Sequence, residues 1–161
     1  MPEYSIEFAQ HMATAGNALL RSSPKSEDRD RAVLYVSLVA CEIALKYALE
    51  QAGKTVKEIR SLSHNLSALL EAVGNCTVLD AISQGSTQRV PASRVRAVVV
   101  DSEYANATIG HLICAEEVGA SKFPNEVRYG DVLQHFPAEV MAELANKVVS
   151  WVKMHGNDIQ A

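Results

Sequence analysis

Apolar residues recur at steps of three and four along most of this chain, which is the spacing of amphipathic helices. The first stripe predicts a helix over about residues 3–21, and Pro24 follows it, where a helix cannot continue. A more apolar stretch over about 27–52 predicts a central helix with neighbours on several sides. Ser26 can cap its start, and Gly53 is a natural end.

Three more helices are predicted downstream. After the polar link 54–60, Ser63 can cap a short helix that Gly74 closes. A fourth helix is predicted over about 91–118, and a fifth from near Pro137 to about His155.

Other stretches are less regular. Residues 75–89 are polar and predict a short turn or a partial helix, and the tail 156–161 is expected to fray. The run RAVVV at 96–100 would also suit a strand, because β-branched residues favour sheets, but no partner strand is evident. The pattern therefore predicts one all-α domain over residues 1–161, a four- to five-helix up-and-down bundle.

Composition narrows the class of protein. The chain has 161 residues, 48% of them hydrophobic, and a formal charge of −4, so charge alone would not hold it on nucleic acid. No basic segment precedes an apolar run at the N-terminus, and no apolar run approaches the ~20 residues that span a bilayer. We therefore expect a cytoplasmic protein that does not associate with a membrane.

The number and spacing of the cysteines also indicate a cytoplasmic location. Cys41, Cys76 and Cys114 are odd in number, and none belongs to a CxxC pair. We interpret them as free thiols, two buried on helices and one near a turn, in a reducing compartment. No two histidines have the spacing of metal ligands on one helix, so neither a metal nor a cofactor is expected.

Four local patterns occur in a familiar order over residues 27–155. The stretch ACEIALKYALEQAG carries Glu42 and Lys46, SHNLSALLEAVG opens near His64, RYGD occupies 128–131, and AEVMAELANKVVSWV follows. In this order they resemble the HEPN family of compact helical bundles, known from prokaryotic toxin–antitoxin and defence systems and from some eukaryotic proteins.

The resemblance implies a bundle that commonly forms a homodimer. Many HEPN proteins are metal-independent ribonucleases with an Arg-x4–6-His motif. Others lack the motif and bind nucleotides, nucleic acids or partner proteins, often beside a nucleotidyltransferase. A nucleotide or RNA ligand and a nucleotidyltransferase or antitoxin partner are therefore expectations for this chain.

The catalytic interpretation rests on Arg128 and His135, which have six residues between them and match that motif. Metal-free RNA cleavage needs a general base and a cation for the developing phosphorane charge, and His and Arg suit these tasks. However, Gly130 lies between the two residues, and Pro124 and Pro137 flank the stretch, so one continuous helix is not predicted. The endoribonuclease is therefore the alternative hypothesis.

The same stretch also fits a binding corner. Arg128 can clamp a phosphate or carboxylate, Tyr129 offers a ring with a polar tip, and Asp131 can hold the arginine or cap a turn. Equally, Arg128 and Asp131 could simply tie the corner to the bundle.

Upstream residues offer further ligand contacts. Glu42 and Lys46 form an i,i+4 pair, which either only stabilises the helix or lies at a groove or dimer interface. His64, at the start of the third predicted helix, either binds an anion beside free backbone N–H groups or packs and forms hydrogen bonds within the protein. Arg94 and Arg96 could join Arg89 and Arg128 in a basic groove, or belong to a solvated face.

The leading hypothesis is a non-catalytic HEPN-like module that binds a nucleotide, a nucleic acid or a protein. A dimeric scaffold without a small ligand is the remaining alternative.

Overall fold

The computed structural model describes residues 2–83, 85–101, 107–114 and 137–161, and these form a mostly helical domain. The helices, in chain order, are α1 (Ile6–Ser22), α2 (Glu27–Gln51), α3 (Val56–Ser61), α4 (Leu66–Gly74), a 3-10 helix (Ala92–Ala97), α5 (Ile109–Cys114) and α6 (Ala138–His155). Two antiparallel strands, β1 (Thr77–Ser83) and β2 (Ser86–Pro91), form a hairpin between α4 and the 3-10 helix.

The centre of the domain is a three-helix unit. Helices α1, α2 and α6 pack pairwise against one another, while α3 and α4 pack against α2. Leu38 and Leu45 of α2 and Leu144 of α6 are fully buried in a continuous apolar core. Because α2 touches helices on several sides, its apolar residues cover most of its circumference, as the sequence predicted.

The ends of α2 follow from local chemistry. The Ser26 hydroxyl accepts a hydrogen bond from the Arg29 N–H at 3.1 Å, which satisfies one free donor of the first turn. At the other end Gly53 adopts φ 99°, a left-handed conformation that glycine tolerates without strain. The predicted bounds of 27–52 are therefore confirmed within one residue.

The third predicted helix begins two residues later than expected. Asn65, rather than Ser63, caps α4, and its side chain accepts from the Ala68 N–H at 3.1 Å. Upstream, the polar link contains α3, which a Thr55–Glu58 capping box starts. That box follows the T-x-x-E pattern, which was present in the sequence and was missed.

The prediction for residues 75–89 was wrong, because this region forms the hairpin. Its strands show no clear alternation in sequence: among the hairpin side chains whose burial the structure describes, one apolar cross-strand pair, Val78 with Val90, faces the core. Gly85, at φ 81°, lies in the turn. One inward-facing pair gives too weak a period-2 signal to identify a strand.

The predicted helix over 91–118 is interrupted in the part that the structure describes, where Ala92–Ala97 form the 3-10 helix and Ile109–Cys114 form α5. After the 3-10 helix the backbone becomes extended at Val98, and Val99 forms a bridge with Thr108. The Val100 N–H donates to the Ala107 carbonyl at 2.7 Å. The β-branched run does pair as a strand would, with a partner only a few residues downstream.

The C-terminal tail is ordered, contrary to the prediction that it frays. Gln160 and Thr77 exchange backbone hydrogen bonds of 2.8 and 2.9 Å, and the Ala161 N–H donates to Ala52. Ile159 is only 3% exposed and belongs to the core. Helix α6 itself spans nearly the predicted residues.

Candidate functional site

Three residues singled out in the sequence meet at one site. The Glu42 Oε1 atom accepts a hydrogen bond from Lys46 Nζ at 2.8 Å and lies 2.7 Å from His64 Nδ1. The side chains of Glu42 and Lys46 are 10% and 9% exposed, whereas that of His64 is 54% exposed. We call these three residues the polar cluster.

Two elements bring the polar cluster together. Glu42 and Lys46 lie one helical turn apart on the same face of α2. His64 lies on the link between α3 and α4, where Ser63 adopts φ 55°, a left-handed conformation that is uncommon outside glycine. This sharp turn, closed by the Asn65 cap of α4, holds His64 against α2.

The N-terminal segment, residues 2–5, completes the surroundings of the cluster. The Tyr4 ring centroid lies 5.7 Å from Lys46 Nζ, within the range of a cation–π interaction. The backbone N–H groups of Glu3 and Tyr4 donate to the Glu50 carboxylate at 2.8 and 3.0 Å. No local pattern in the sequence predicts these two hydrogen bonds, because their partners lie more than forty positions apart along the chain.

The hydrogen bonding defines what His64 can do. With the Glu42 carboxylate as acceptor, the His64 proton resides on Nδ1, and a neutral imidazole then presents Nε2 as an acceptor. When the ring is protonated, Nε2 becomes a donor. In residues 2–83, 85–101, 107–114 and 137–161, no partner occupies Nε2. The cluster therefore presents one oriented, half-exposed imidazole supported by a buried ion pair.

The predicted basic groove is mostly engaged in structural contacts. Arg89 donates to the Thr77 and Asp158 carbonyls at 3.0–3.1 Å, which ties β2 to the tail. The Arg94 guanidinium pairs with Asp80 at 2.6 Å, and Arg96 is exposed on the 3-10 helix. Neither Arg94 nor Arg96 contacts the polar cluster.

The candidate residues of the predicted binding corner and ribonuclease motif lie outside the described residues. Arg128, Tyr129, Asp131 and His135 all belong to this group. Their roles, catalytic or binding, stay predictions.

Within the described part of the chain, no group of three or more His, Cys, Asp or Glu residues is arranged to hold a metal ion. The same part contains one helix, α2, that is long and apolar enough by length and composition to cross a bilayer. However, 67% of its most apolar window is buried inside the protein, as in a core helix, so this is weak evidence for a span.

Cys41 and Cys76 are free and buried, and Cys41 fits the interpretation of a thiol buried on a helix. Cys41 lies at the centre of α2, and Cys76 lies at the turn after α4. Complete burial raises the pKa of the Cys41 thiol from 9.0 to about 12, because the thiolate would lose its hydration. Burial also raises the pKa of Cys76.

We expect Cys41 to resist thiol reagents while the protein is folded. A pKa about three units above the ordinary value lowers the thiolate fraction roughly a thousandfold below pH 9. The measurement is the rate of reaction with a disulfide reagent at pH 8, in a Cys76→Ser/Cys114→Ser variant that retains Cys41 alone. Equal rates in buffer and in denaturant would contradict the expectation.

No family model, curated protein or solved structure matches this chain. The described residues form a mostly helical domain that carries the polar cluster.

Proposed function

We propose that the chain is a non-catalytic HEPN-like domain that binds a nucleotide at the polar cluster. The observation that carries the proposal is the half-exposed His64 imidazole, which the buried Glu42 carboxylate orients at 2.7 Å. The mostly helical bundle and the order of the sequence patterns support the family assignment. The resemblance adds a homodimer and a nucleotidyltransferase or antitoxin partner to this proposal.

The cluster offers a nucleotide three kinds of contact. A protonated His64 can donate from Nε2 to a phosphate oxygen, a charge-assisted bond. The Glu42 carboxylate can accept from a ribose hydroxyl, as acidic residues do in dinucleotide sites. Tyr4, beside Lys46, adds an aromatic ring that a base can approach.

Binding is favoured over catalysis because the cluster lacks a free cation. RNA cleavage without a metal needs positive charge at the phosphate in addition to a general base. Lys46 is buried and already paired with Glu42, and Arg60, near His64 in sequence, pairs with Glu3. Among the described residues, the imidazole therefore has no guanidinium or ammonium that is free to assist it.

We expect His64→Ala to weaken nucleotide binding at least about tenfold, because a hydrogen bond to a charged group is lost. The measurement is isothermal titration calorimetry with AMP, ADP, ATP and the guanine counterparts. The matched control is His11→Ala, which removes an exposed histidine of α1 and should leave binding unchanged. Absence of binding by every nucleotide, or equal affinity of His64→Ala and the unmodified protein, would refute the proposal.

A parallel assay tests the enzyme hypothesis. The protein is incubated with labelled RNA beside Arg128→Ala and His135→Ala variants, in the presence of a chelator. We expect no cleavage. Cleavage that disappears in both variants would replace the binding function with an endoribonuclease.

A further inference from the structure

A cavity lies next to the C-terminal end of α2, outside the polar cluster. A cavity of about 160 Å³ opens where the end of α2 meets α3 and α4, and its lining residues are Leu49, Lys54, Glu58, Ile59, Leu62 and Ala72. None of the three polar-cluster residues lines this cavity. The cavity is thus distinct from the polar cluster.

The walls of the cavity are apolar. Leu49 and Ile59 are each 1% exposed, and Leu62 and Ala72 are partly buried against the same core. A ligand group that enters the cavity must therefore be apolar, since a polar group would lose its hydration without gaining a partner.

The rim carries one charge of each sign. The Glu58 carboxylate accepts from the Thr55 N–H and hydroxyl at 2.7 and 2.8 Å, and these bonds hold its pKa below the ordinary value. Glu58 is therefore ionised at neutral pH. Lys54 has no ion pair within 4.0 Å in the part of the chain that the structure describes. Its positive charge nevertheless contributes to lowering the pKa of the Glu58 carboxyl.

We infer that this cavity binds a free α-amino acid with an aliphatic side chain, such as leucine. The ligand carboxylate faces Lys54, the ligand ammonium faces Glu58, and the side chain fills the space between Leu49 and Ile59. The charges of a zwitterion complement both rim groups. A simple carboxylate would meet the repulsion of Glu58, and a simple amine that of Lys54.

The size of the cavity agrees with this ligand class. Cavities of ~150 Å³ lined by aliphatic and aromatic side chains accommodate a benzene molecule. A volume of about 160 Å³ therefore accepts the branched four-carbon side chain of leucine. The indole of tryptophan is larger than a benzene ring and should bind more weakly.

The test is ligand-observed NMR and calorimetry on the full chain. We expect L-leucine to bind with a Kd on the order of 1 mM, because a ligand this small buries little surface. Two analogues serve as matched ligands: 4-methylpentanoate lacks the ammonium, and 3-methylbutylamine lacks the carboxylate. Each should bind about fivefold more weakly, which is what loss of one exposed ion pair costs. Equal affinity of either analogue, or no leucine binding at ~10 mM, would overturn the inference.

Variants locate the binding on the protein. Lys54→Met and Glu58→Gln should each weaken leucine binding about fivefold, and glutamine at 58 keeps a residue that can complete the capping box. Ala72→Leu should abolish binding by filling the cavity. Lys57→Met is the matched control, because Lys57 is exposed on α3 and does not line the cavity. Unchanged affinity in Lys54→Met and Ala72→Leu would place the ligand elsewhere and refute the site.

Discussion

Replacing Glu42 by leucine is expected to lower the free energy of unfolding by about 3–5 kcal/mol. The change removes the carboxylate that accepts from Lys46 at 2.8 Å, in a pair whose side chains are 10% and 9% exposed. Leucine approximates the volume of glutamate, so the cost arises mainly from a buried ammonium left without a counter-charge. Urea denaturation followed by circular dichroism measures the change.

Two further variants distinguish this explanation from a general loss of packing. The double variant Glu42→Leu/Lys46→Met replaces both charges with apolar groups, and its stability should return to within about 1 kcal/mol of the original. His64→Ala, at a side chain that is 54% exposed, should cost less than about 1 kcal/mol. If the double variant were no more stable than Glu42→Leu alone, the ion pair could not be the cause.

The same double variant separates stability from function. It would retain the fold while lacking the carboxylate that orients His64, so nucleotide binding should fall without unfolding. The polar cluster would then be shown to be maintained for recognition, because the bundle does not need its charges to fold.

Helix boundaries were predictable where the signals were local. Ser26 marks the start of α2 and Gly53 marks its end, each through local geometry within one helical turn. The i,i+4 relation of Glu42 and Lys46 was equally readable. Such features depend on short-range geometry, which sequence spacing encodes directly.

The site as a whole was less predictable, because its contacts are long-range. His64 contacts Glu42 across 22 positions, whereas the sequence analysis assigned these two residues separate roles. The approach of Tyr4 to Lys46 depends on how the N-terminal segment crosses α2. Sequence spacing does not specify such crossings, so the polar cluster could be identified only from the tertiary structure.

Misassigned segments share a related cause. The hairpin strands and the residues around Val99 are paired by backbone hydrogen bonds, and few of their side chains face the core. Backbone pairing leaves little trace in a hydrophobic pattern. The tail was misjudged likewise, since one apolar residue, Ile159, is joined there by backbone bonds and by polar contacts of Asp158 with Leu79 and Arg89, which a hydrophobic pattern does not show.

Ile159→Ala is therefore expected to lower the free energy of unfolding by about 2–5 kcal/mol, the range for truncating a buried isoleucine to alanine. Ile159 is 3% exposed, and its loss would also weaken the pairing of Gln160 with Thr77. Thermal and urea denaturation measure the effect. The matched control is Gln160→Ala, whose side chain is exposed while its backbone bonds remain, and it should change stability by less than ~0.5 kcal/mol. A change below ~0.5 kcal/mol for both substitutions would contradict the expectation, because the tail would then contribute nothing to the core.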